Sequence, residues 1–449
     1  MAKYDLVIIG GSLAGRYAAV CAIHQGAKKV ALVEPPLAAR TTPLFDVLAP
    51  HAVNQLKTFE LQQFLLPGEY PVSIGITEVS QWAKNAIANI EEQNSPAILS
   101  ALGVDVIVGN GEFTSQQPLV FSADNRQLLA KAYLIATGSH PAIPDIEGLQ
   151  DTNYLTVGSI WQQLAPTCAK DWVIIGGNPD SVMLAQTLRK LGFNVALIVK
   201  RPCIVAGLDT DIAQLLQAIL EAEGVRVLTD TPVTQIKQID NKKWIQAGDR
   251  AIEADEVIIC VGYEPNVRDL NLESVKVKWQ GRGIVVNPHL QTSNPHIYAC
   301  GDVIGGYPFA NIADYEAKIA VNNALSSRKL KVNYQSIPWA IFSQPQVAQV
   351  GLTATKAQHF YSDVVVLQQY FKTVAAAHLQ AELTGTCKLV VRRNGEILGA
   401  TIVGSQATEL INIISLAIAQ KIELNALSWL APIYPSFSEI FTQLSDRQL

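Results

Sequence analysis

Short apolar runs separated by glycine-rich turns and helix-like stretches recur along this chain. The run YDLVII at 4–9 leads into GGSLAG, then RYAAVCAIHQ, then a second run, KKVALVE, that ends at Glu34. The same order returns at 171–201 as DWVII, GGNPDS, VMLAQTLRKLG and NVALIVKR. Two strands joined by a helix, with glycines at the first turn, are typical of a βαβ unit. The pattern therefore predicts two such units and an internal duplication.

Other apolar runs extend these units. Buried strands that end in a turn are predicted at 132–138 (AYLIATG), 256–266 (EVIICVGYEPN) and 297–302 (IYACGD). From about residue 334 the pattern changes, because KLVVRRNGEILGATIVG at 388–404 predicts a hairpin that turns at Asn394-Gly395. ELINIISLAIAQ at 409–420 then has helical apolar spacing. The last part of the chain is therefore predicted to be an α+β domain on an antiparallel sheet.

Composition narrows the classes of protein. The 449 residues carry a net charge of −5 and no Lys/Arg block, which argues against a nucleic-acid partner or an anionic membrane surface. Apolar residues make up 49%, enough for large cores, yet no run approaches the roughly 18 residues of a membrane span. The N-terminus enters a strand without a signal-like segment, so a cytoplasmic location is expected.

The six cysteines are widely spaced, and no CxxC or Cys/His cluster is present. No metal site is therefore predicted, and the cysteines are expected to be reduced thiols. A redox pair formed by two distant cysteines remains an alternative.

The first glycine turn has the features of a dinucleotide site. Its GxGxxG motif places a serine in the middle position, and an acid follows at the end of the next strand, where it would bond a ribose. An ordinary βαβ turn is the alternative. The predicted binding residues are Gly10, Ser12, Leu13, Ala14, Gly15 and Glu34.

Later segments match further motifs in a fixed order along the chain. They are GNGEF at 109–113, ATG at 136–138, VGYEPN at 261–266, TSNPHIYACGD at 292–302, FANIADYEAK at 309–318, IPWAIFSQPQVAQVGLT at 337–353 and YPSFSE at 434–439. Together they resemble the class I pyridine nucleotide-disulfide oxidoreductases, the family of glutathione reductase, lipoamide dehydrogenase and mercuric reductase. The resemblance covers nearly the whole chain.

The resemblance implies an α/β fold with two Rossmann-like dinucleotide-binding domains, of FAD and NAD(P) type, and a C-terminal α+β dimerisation domain. The expected divisions are 1–150 and 267–333 for the FAD domain, 151–266 for the NAD(P)-type domain and 334–449 for the interface. A homodimer follows from the same resemblance.

The resemblance also implies FAD as cofactor. Asp302 would bond a ribityl hydroxyl, and the backbone at Gly111 would meet adenine. The other residues implied for the flavin site are Ala136, Thr137, Gly138, Gly262 and Ala310.

The chain departs from this family where the family does its chemistry. The stretch 34–51 contains no cysteine, and the two positions of the family's CxxxxC disulfide fall on Thr41 and Asp46. Neither side chain can relay electrons by thiol–disulfide exchange. The family's catalytic His is replaced by Tyr434, which the resemblance places at the partner's active site, whereas Glu439 is retained. The candidate catalytic residues are therefore Tyr434, Glu439 and Asp46, in a protein that is not a disulfide reductase.

The second glycine motif is altered too. It reads Gly176, Asn178 and Ser181, so two side chains stand where close approach favours glycine. A βαβ scaffold that has lost its ligand is one interpretation. The following strand ends in Lys200-Arg201 rather than an acid, and these cations favour the 2′-phosphate of NADPH over NADH.

These observations predict an FAD-dependent oxidoreductase that passes electrons from NAD(P)H through flavin directly to a small, quinone-like acceptor. Two alternatives stay open. The first is a flavoprotein that no longer binds nicotinamide and exchanges electrons with a protein partner or small substrate. The second is a non-catalytic FAD-binding protein.

Overall fold

The computed structural model describes residues 2–36, 53, 76–115, 117–163 and 169–446. In chain order the strands are β1 Ala2–Ile9, β2 Val30–Glu34, β3 Val104–Val108, β4 Gly111–Thr114, β5 Val120–Ala123, β6 Arg126–Ile135, β7 Ser139–Pro141, β8 Leu155–Thr156, β9 Asp171–Ile175, β10 Asn194–Ile198, β11 Arg226–Leu228, β12 Val233–Ile239, β13 Lys242–Ala247, β14 Arg250–Ala254, β15 Glu256–Ile259, β16 Tyr263–Pro265, β17 Trp279–Gln280, β18 Gly283–Ile284, β19 Ile297–Ala299, β20 Trp339–Ile341, β21 Gln346–Gly351, β22 Val364–Tyr370, β23 Thr386–Arg392 and β24 Ile397–Gly404.

The α-helices are α1 Leu13–His24, α2 Ile76–Glu92, α3 Pro96–Ala101, α4 Val157–Gln163, α5 Pro179–Lys190, α6 Thr210–Ala222, α7 Ala310–Leu325, α8 Ala354–Phe360, α9 Ala375–Leu379, α10 Ala407–Gln420, α11 Leu424–Leu427 and α12 Glu439–Ser445. Single 3₁₀ turns occur at Leu149–Asp151, Arg268–Leu270, Leu272–Val275, Gly301–Ile304, Tyr334–Ser336 and Phe371–Thr373. Within the described residues, no helix is both long enough and apolar enough to cross a membrane.

The chain divides into two compact units. One contains the described residues within 1–43, 84–142 and 262–332, and the other contains those within 44–83, 143–261 and 333–449. The finer division into three domains stays a prediction.

A mostly parallel sheet forms the centre of the first unit, in the order β3-β2-β1-β6-β5-β4, with β19 also paired to β6. Alternate residues of β1 enter two different cores, because Leu6 and Ile8 pack on one side and Val7 and Ile9 on the other. A strand buried on both faces reads as a continuous apolar run, which explains the YDLVII pattern. The predicted βαβ unit is formed by β1, α1 and β2.

The second unit repeats this plan and adds an antiparallel sheet. Its parallel sheet has the order β11-β10-β9-β15-β8, and a three-stranded meander, β12-β13-β14, precedes β15. The antiparallel sheet has the order β20-β21-β24-β23-β22, and α10 packs against β21 and β24. The predicted hairpin is confirmed, since β23 and β24 pair across a turn closed by the Gly395 N–H and the Arg392 carbonyl.

A buried ion pair joins the antiparallel sheet of the second unit to the start of α6. Lys388 Nζ, on β23, lies 3.1 Å from Asp209 Oδ2, and both residues are less than a tenth exposed. Burial alone would raise the pKa of Asp209, but hydrogen bonds from the Ala354 N–H, Lys388 and the Thr355 N–H outweigh burial, and its pKa lies below the ordinary value. Asp209 is therefore held as a carboxylate.

Replacing Lys388 with Met should lower the free energy of unfolding by about 3 kcal/mol at neutral pH, because the Asp209 charge would stay buried without its cation. The folded-state pKa of Asp209 is depressed, so the loss is full above the unfolded value, about 3.9, and shrinks as the pH falls through the folded-state pKa. Denaturant unfolding measures it. Lys131→Met, which removes an exposed pair with Asp5, is the control and should cost less than about 1 kcal/mol. Equal losses would contradict the role assigned to Lys388.

Candidate functional site

The first glycine turn brings the ends of β1 and β6 into close approach. A Cβ on Gly10 would lie 2.2 Å from the Ala136 carbonyl oxygen, and the φ of Gly10 is +119°. A Cβ on Gly15 would lie 1.9 Å from the Gly10 carbonyl oxygen. Both outer glycines of the motif are therefore required by the backbone itself.

Ser12, in the middle of the motif, caps helix α1. Its Oγ accepts the Gly15 N–H at 3.3 Å and donates to the Ala136 carbonyl at 3.1 Å. The N–H groups of Leu13 and Ala14 have no acceptor within the helix, because the first turn lacks the preceding carbonyls. They leave donors for an anion at the positive end of the helix dipole.

Glu34 ends β2 and is fully buried beside this turn. A Cβ on Gly11 would lie 2.5 Å from Glu34 Oε2, so the carboxylate packs directly on the glycine turn. Arg16 Nε and Nη2 both donate to the same oxygen at 3.3 Å. Arg16 and Glu34 line a cavity of about 570 Å³ together with Glu91, Glu92, Ser95 and Val108.

The later motifs of the first unit meet near the same strand ends. Thr137 Oγ1 donates to the Asn266 carbonyl at 2.7 Å, and the Asn266 amide returns a bond to the Thr137 carbonyl at 3.0 Å. Gly138 and Gly262 both have positive φ, of +69° and +125°. The motifs at 136–138 and 261–266 are therefore neighbours.

Asp302 lies half-buried at the start of a 3₁₀ turn, and the Ser139 hydroxyl donates to its Oδ2 at 3.2 Å. Burial raises the pKa of Asp302, and the bond from Ser139 offsets part of that rise. A Cβ on the adjacent Gly301 would lie 3.8 Å from the Ala14 side chain, which brings this turn to the first motif.

Two further predicted residues lie in this unit. Gly111 begins β4, and a Cβ there would lie 2.5 Å from both the Phe121 ring and the Ser122 carbonyl, so hairpin packing already requires glycine. Ala310 is exposed at the first position of α7, whose N-cap, Phe309, makes no side-chain cap bond.

These residues fit FAD. A pyrophosphate matches the donors at the start of α1, a ribose matches a buried carboxylate beside a cavity, and a second acid, Asp302, lies near the other strand ends. The residues that would hold FAD are Gly10, Ser12, Leu13, Ala14, Gly15, Glu34, Ala136, Thr137, Gly138, Gly262, Asp302 and Ala310.

The second glycine turn repeats the backbone geometry of the first. A Cβ on Gly176 would lie 1.9 Å from the Cys260 carbonyl oxygen, and the φ of Gly176 is +156°. Asn178 caps α5, and its Oδ1 accepts the Ser181 N–H at 2.9 Å and the Cys260 S–H at 3.3 Å. The scaffold of a dinucleotide site is therefore retained.

The donors of this second turn are reduced. Pro179 has no N–H, and the Ser181 N–H is already bound by Asn178, so two of the three donors that begin α5 are unavailable. Asp180 adds a negative charge in the first turn, which disfavours an anion. Lys200 and Arg201 are exposed after β10 and are the cations that the sequence predicts for a 2′-phosphate.

Two of the three candidate catalytic residues, Tyr434 and Glu439, lie within the described residues. Tyr434 is 76% exposed on the last connection of the antiparallel-sheet domain. Glu439 begins α12, and its Oε1 accepts the Ser436 N–H at 2.8 Å, so its carboxylate stabilises the turn before that helix. Asp46 and its neighbour Thr41 lie outside the described residues.

Cysteines within the described part of the chain are free thiols. Cys300 and Cys387 are fully buried, and burial raises the pKa of both thiols. Such thiols are poor nucleophiles because the thiolate is the reactive form. Cys168 lies outside the described residues.

Arg16 was not among the residues predicted from sequence. Its signal is a charge in the otherwise apolar helix sequence after Gly15, where burial demands a counter-ion. The capping role of Asn178 also needed the structure, although Asn before Pro is a common start of a helix.

Two Rossmann-type turns followed by an antiparallel sheet define the class of flavoproteins with two dinucleotide folds. Residues 4–317 match the family model "Pyridine nucleotide-disulphide oxidoreductase", and residues 337–445 match its dimerisation domain. The chain belongs to this family, whose members are FAD-dependent oxidoreductases that use NAD(P)H. The dimerisation domain supports a homodimer.

Individual relatives support the same family assignment. The chain is 30% identical to mercuric reductase of Staphylococcus aureus, across 92% of this chain and 77% of that protein. It is also 30% identical to dihydrolipoyl dehydrogenase of Bacillus subtilis, across 90% of each. The structure of LpdA from Mycobacterium tuberculosis superposes with a TM-score of 0.89 over 100% of both chains at 22% identity. The predicted fold class is thereby confirmed.

Gly11→Ala should weaken FAD binding about tenfold or more, because the new methyl group would displace the Glu34 carboxylate and its charged hydrogen bond. The measurement is the dissociation constant of FAD from the apoprotein. Gly281→Ala is the matched control, since a Cβ there meets no atom within 4 Å. FAD affinity in Gly11→Ala equal to that of the control would contradict the placement of Glu34 at the site.

Proposed function

We propose that this protein is an FAD-dependent NAD(P)H oxidoreductase that delivers electrons to a small, quinone-like acceptor without a protein disulfide. The observation that carries the proposal is a flavin-type first site combined with no cysteine between Glu34 and His51. Its relatives are named as reductases of mercury and dehydrogenases of dihydrolipoyl groups. This chain keeps their fold and lacks the dithiol of the family's pattern.

The residue at the position of the family's catalytic His supports the same conclusion. Tyr434 carries a phenol in place of an imidazole, which is the side chain suited to exchange protons near neutral pH. Glu439 instead binds the backbone of Ser436. Without a thiol pair to protonate, neither an imidazole nor its carboxylate partner is needed, and Tyr434 and Asp46 would act only on the acceptor.

When bound, FAD supplies acceptance of a hydride and release of electrons one or two at a time. The residues of this chain bind and orient it. The first-turn donors Leu13 and Ala14 would hold the pyrophosphate, and Glu34 would hold the ribose. Asp302, whose carboxylate accepts the Ser139 hydroxyl, would bond the ribityl chain.

The second site takes the electron donor. Gly176 keeps the strand-end geometry of a dinucleotide fold, and Lys200 with Arg201 favours NADPH over NADH. Binding is expected to be weak, because Pro179 and the capped Ser181 N–H remove pyrophosphate donors.

One observation favours a second function, a flavoprotein that receives electrons from another donor. The same loss of donors at α5, with Asp180 beside them, would abolish rather than weaken nucleotide binding if the cations do not compensate. The distinction is experimental, since both functions use the same flavin site.

NADPH added without oxygen should bleach the flavin absorbance, and a quinone should restore it. Arsenite, which binds paired thiols, should leave turnover unchanged. The double substitution Lys200→Glu/Arg201→Glu should raise the KM for NADPH about tenfold or more and change that for NADH less, because the 2′-phosphate loses its cations. A flavin that neither nucleotide bleaches, but that light and a photosensitiser reduce, would overturn the proposed donor.

Asn178→Gly/Pro179→Ala should lower the KM for NADPH several-fold with kcat little changed, because two backbone donors return to the start of α5. Asn333→Gly, which removes a cap from a 3₁₀ turn elsewhere in the unit, is the control. An unchanged KM would show that these donors do not limit binding.

A further inference from the structure

Two charged side chains are buried together at the first glycine turn. Arg16 is 5% exposed in the first turn of α1, and Glu34 is fully buried at the end of β2. Both contacts of the guanidinium, from Nε and Nη2, end on Glu34 Oε2. Burying either charge alone would be costly, so the two side chains depend on each other.

Helix stability does not account for a cation at this position. A positive side chain in the first turn opposes the helix dipole, and Arg16 therefore costs free energy locally. Its one described counter-ion is Glu34. The position makes sense if the contact with Glu34 serves the site that both residues line.

We propose that Arg16 is a positioning residue for the adenosine half of FAD and acts through Glu34. Arg16 holds the Glu34 carboxylate against the glycine turn and so sets its orientation toward the ribose hydroxyls. The proposal rests on the ribose role that the proposed function gives to Glu34.

The geometry fixes one of the two carboxylate oxygens. Arg16 Nε and Nη2 both donate to Oε2, which orients the carboxylate group as a whole. Gly11 confines the same side chain from another direction, since a Cβ there would lie 2.4 Å from Glu34 Cβ. The carboxylate is therefore held in place before the ribose arrives, which lowers the entropy cost of binding.

The cavity beside the pair has an acidic lining. Glu91 and Glu92 lie on its wall with Glu34, against the single cation Arg16 among the lining residues that the structure describes. Uncharged ribose hydroxyls suit such a lining, whereas a phosphorylated ribose would be repelled. The pair thus favours FAD at this site over NADPH.

The experiment measures FAD dissociation constants for the apoprotein of the wild type, Arg16→Met, Glu34→Gln and the double variant. Each is also titrated with an FAD analogue whose adenosine carries 2′-deoxyribose. The wild type should prefer FAD to the analogue about tenfold or more, and Arg16→Met should remove most of that preference. The double variant should bind FAD no more weakly than Glu34→Gln, because Arg16 acts only through that carboxylate.

Arg126→Met is the matched control, since Arg126 pairs with Asp105 in the same unit, in an exposed ion pair outside the cavity. Its preference for FAD should equal that of the wild type. Arg16→Lys, which keeps the charge, should retain an intermediate preference and gives a readout if Arg16→Met does not fold.

The proposal would be overturned if the losses of FAD affinity in the two single variants multiplied in the double variant. It would also be overturned if Arg16→Met weakened FAD and the analogue equally, or if Arg16→Met and Arg16→Lys both kept the wild-type preference for FAD. Unchanged FAD affinity in Glu34→Gln would instead reject the ribose role of Glu34. Failure of NADPH to bleach the flavin leaves these binding constants readable, so the two proposals are distinguishable.

Discussion

The close approach of Gly10 to the Ala136 carbonyl is the contact on which the first unit depends. Parallel pairing of β1 with β6 brings these two strand ends together, and no side chain fits between them. Because the chain turns there, Ser12 reaches the same carbonyl and begins α1 at that point. Helix α1 then carries Arg16 to the end of β2, where Glu34 is buried. The positions of these site residues therefore follow from the close approach of Gly10 to the Ala136 carbonyl.

The second unit shows that the close backbone approach at a glycine turn can occur without the full set of donors for a nucleotide. Gly176 meets the Cys260 carbonyl as closely as Gly10 meets its own partner, so the scaffold imposes glycine whether or not a nucleotide binds. What differs is the supply of donors and charge at the helix start, where Pro179 and Asp180 replace Leu13 and Ala14. The glycines of the motif therefore indicate the fold, whereas the residues beside them indicate whether a nucleotide binds.

Family membership does not bring the cysteine pattern with it in this protein. The chain belongs to the pyridine nucleotide-disulphide oxidoreductase family, yet the stretch from Glu34 to His51 has no cysteine. Glu439, which would pair with an imidazole, bonds the Ser436 N–H instead. Glu439 therefore has a structural role at the start of α12 that needs no imidazole.

The sequence by itself determined the elements and the flavin-type motifs. Apolar period, glycine position and turn residues are local signals, so β1-α1-β2 and the β23–β24 hairpin were predicted near their observed bounds. Only the tertiary structure decided which distant residues meet. The pairing of Arg16 with Glu34, the bond between Thr137 and Asn266, and the use of Asn178 as a cap depend on side-chain direction and burial. Side-chain direction and burial are set by packing between residues far apart in the chain, and a linear sequence pattern does not contain that information.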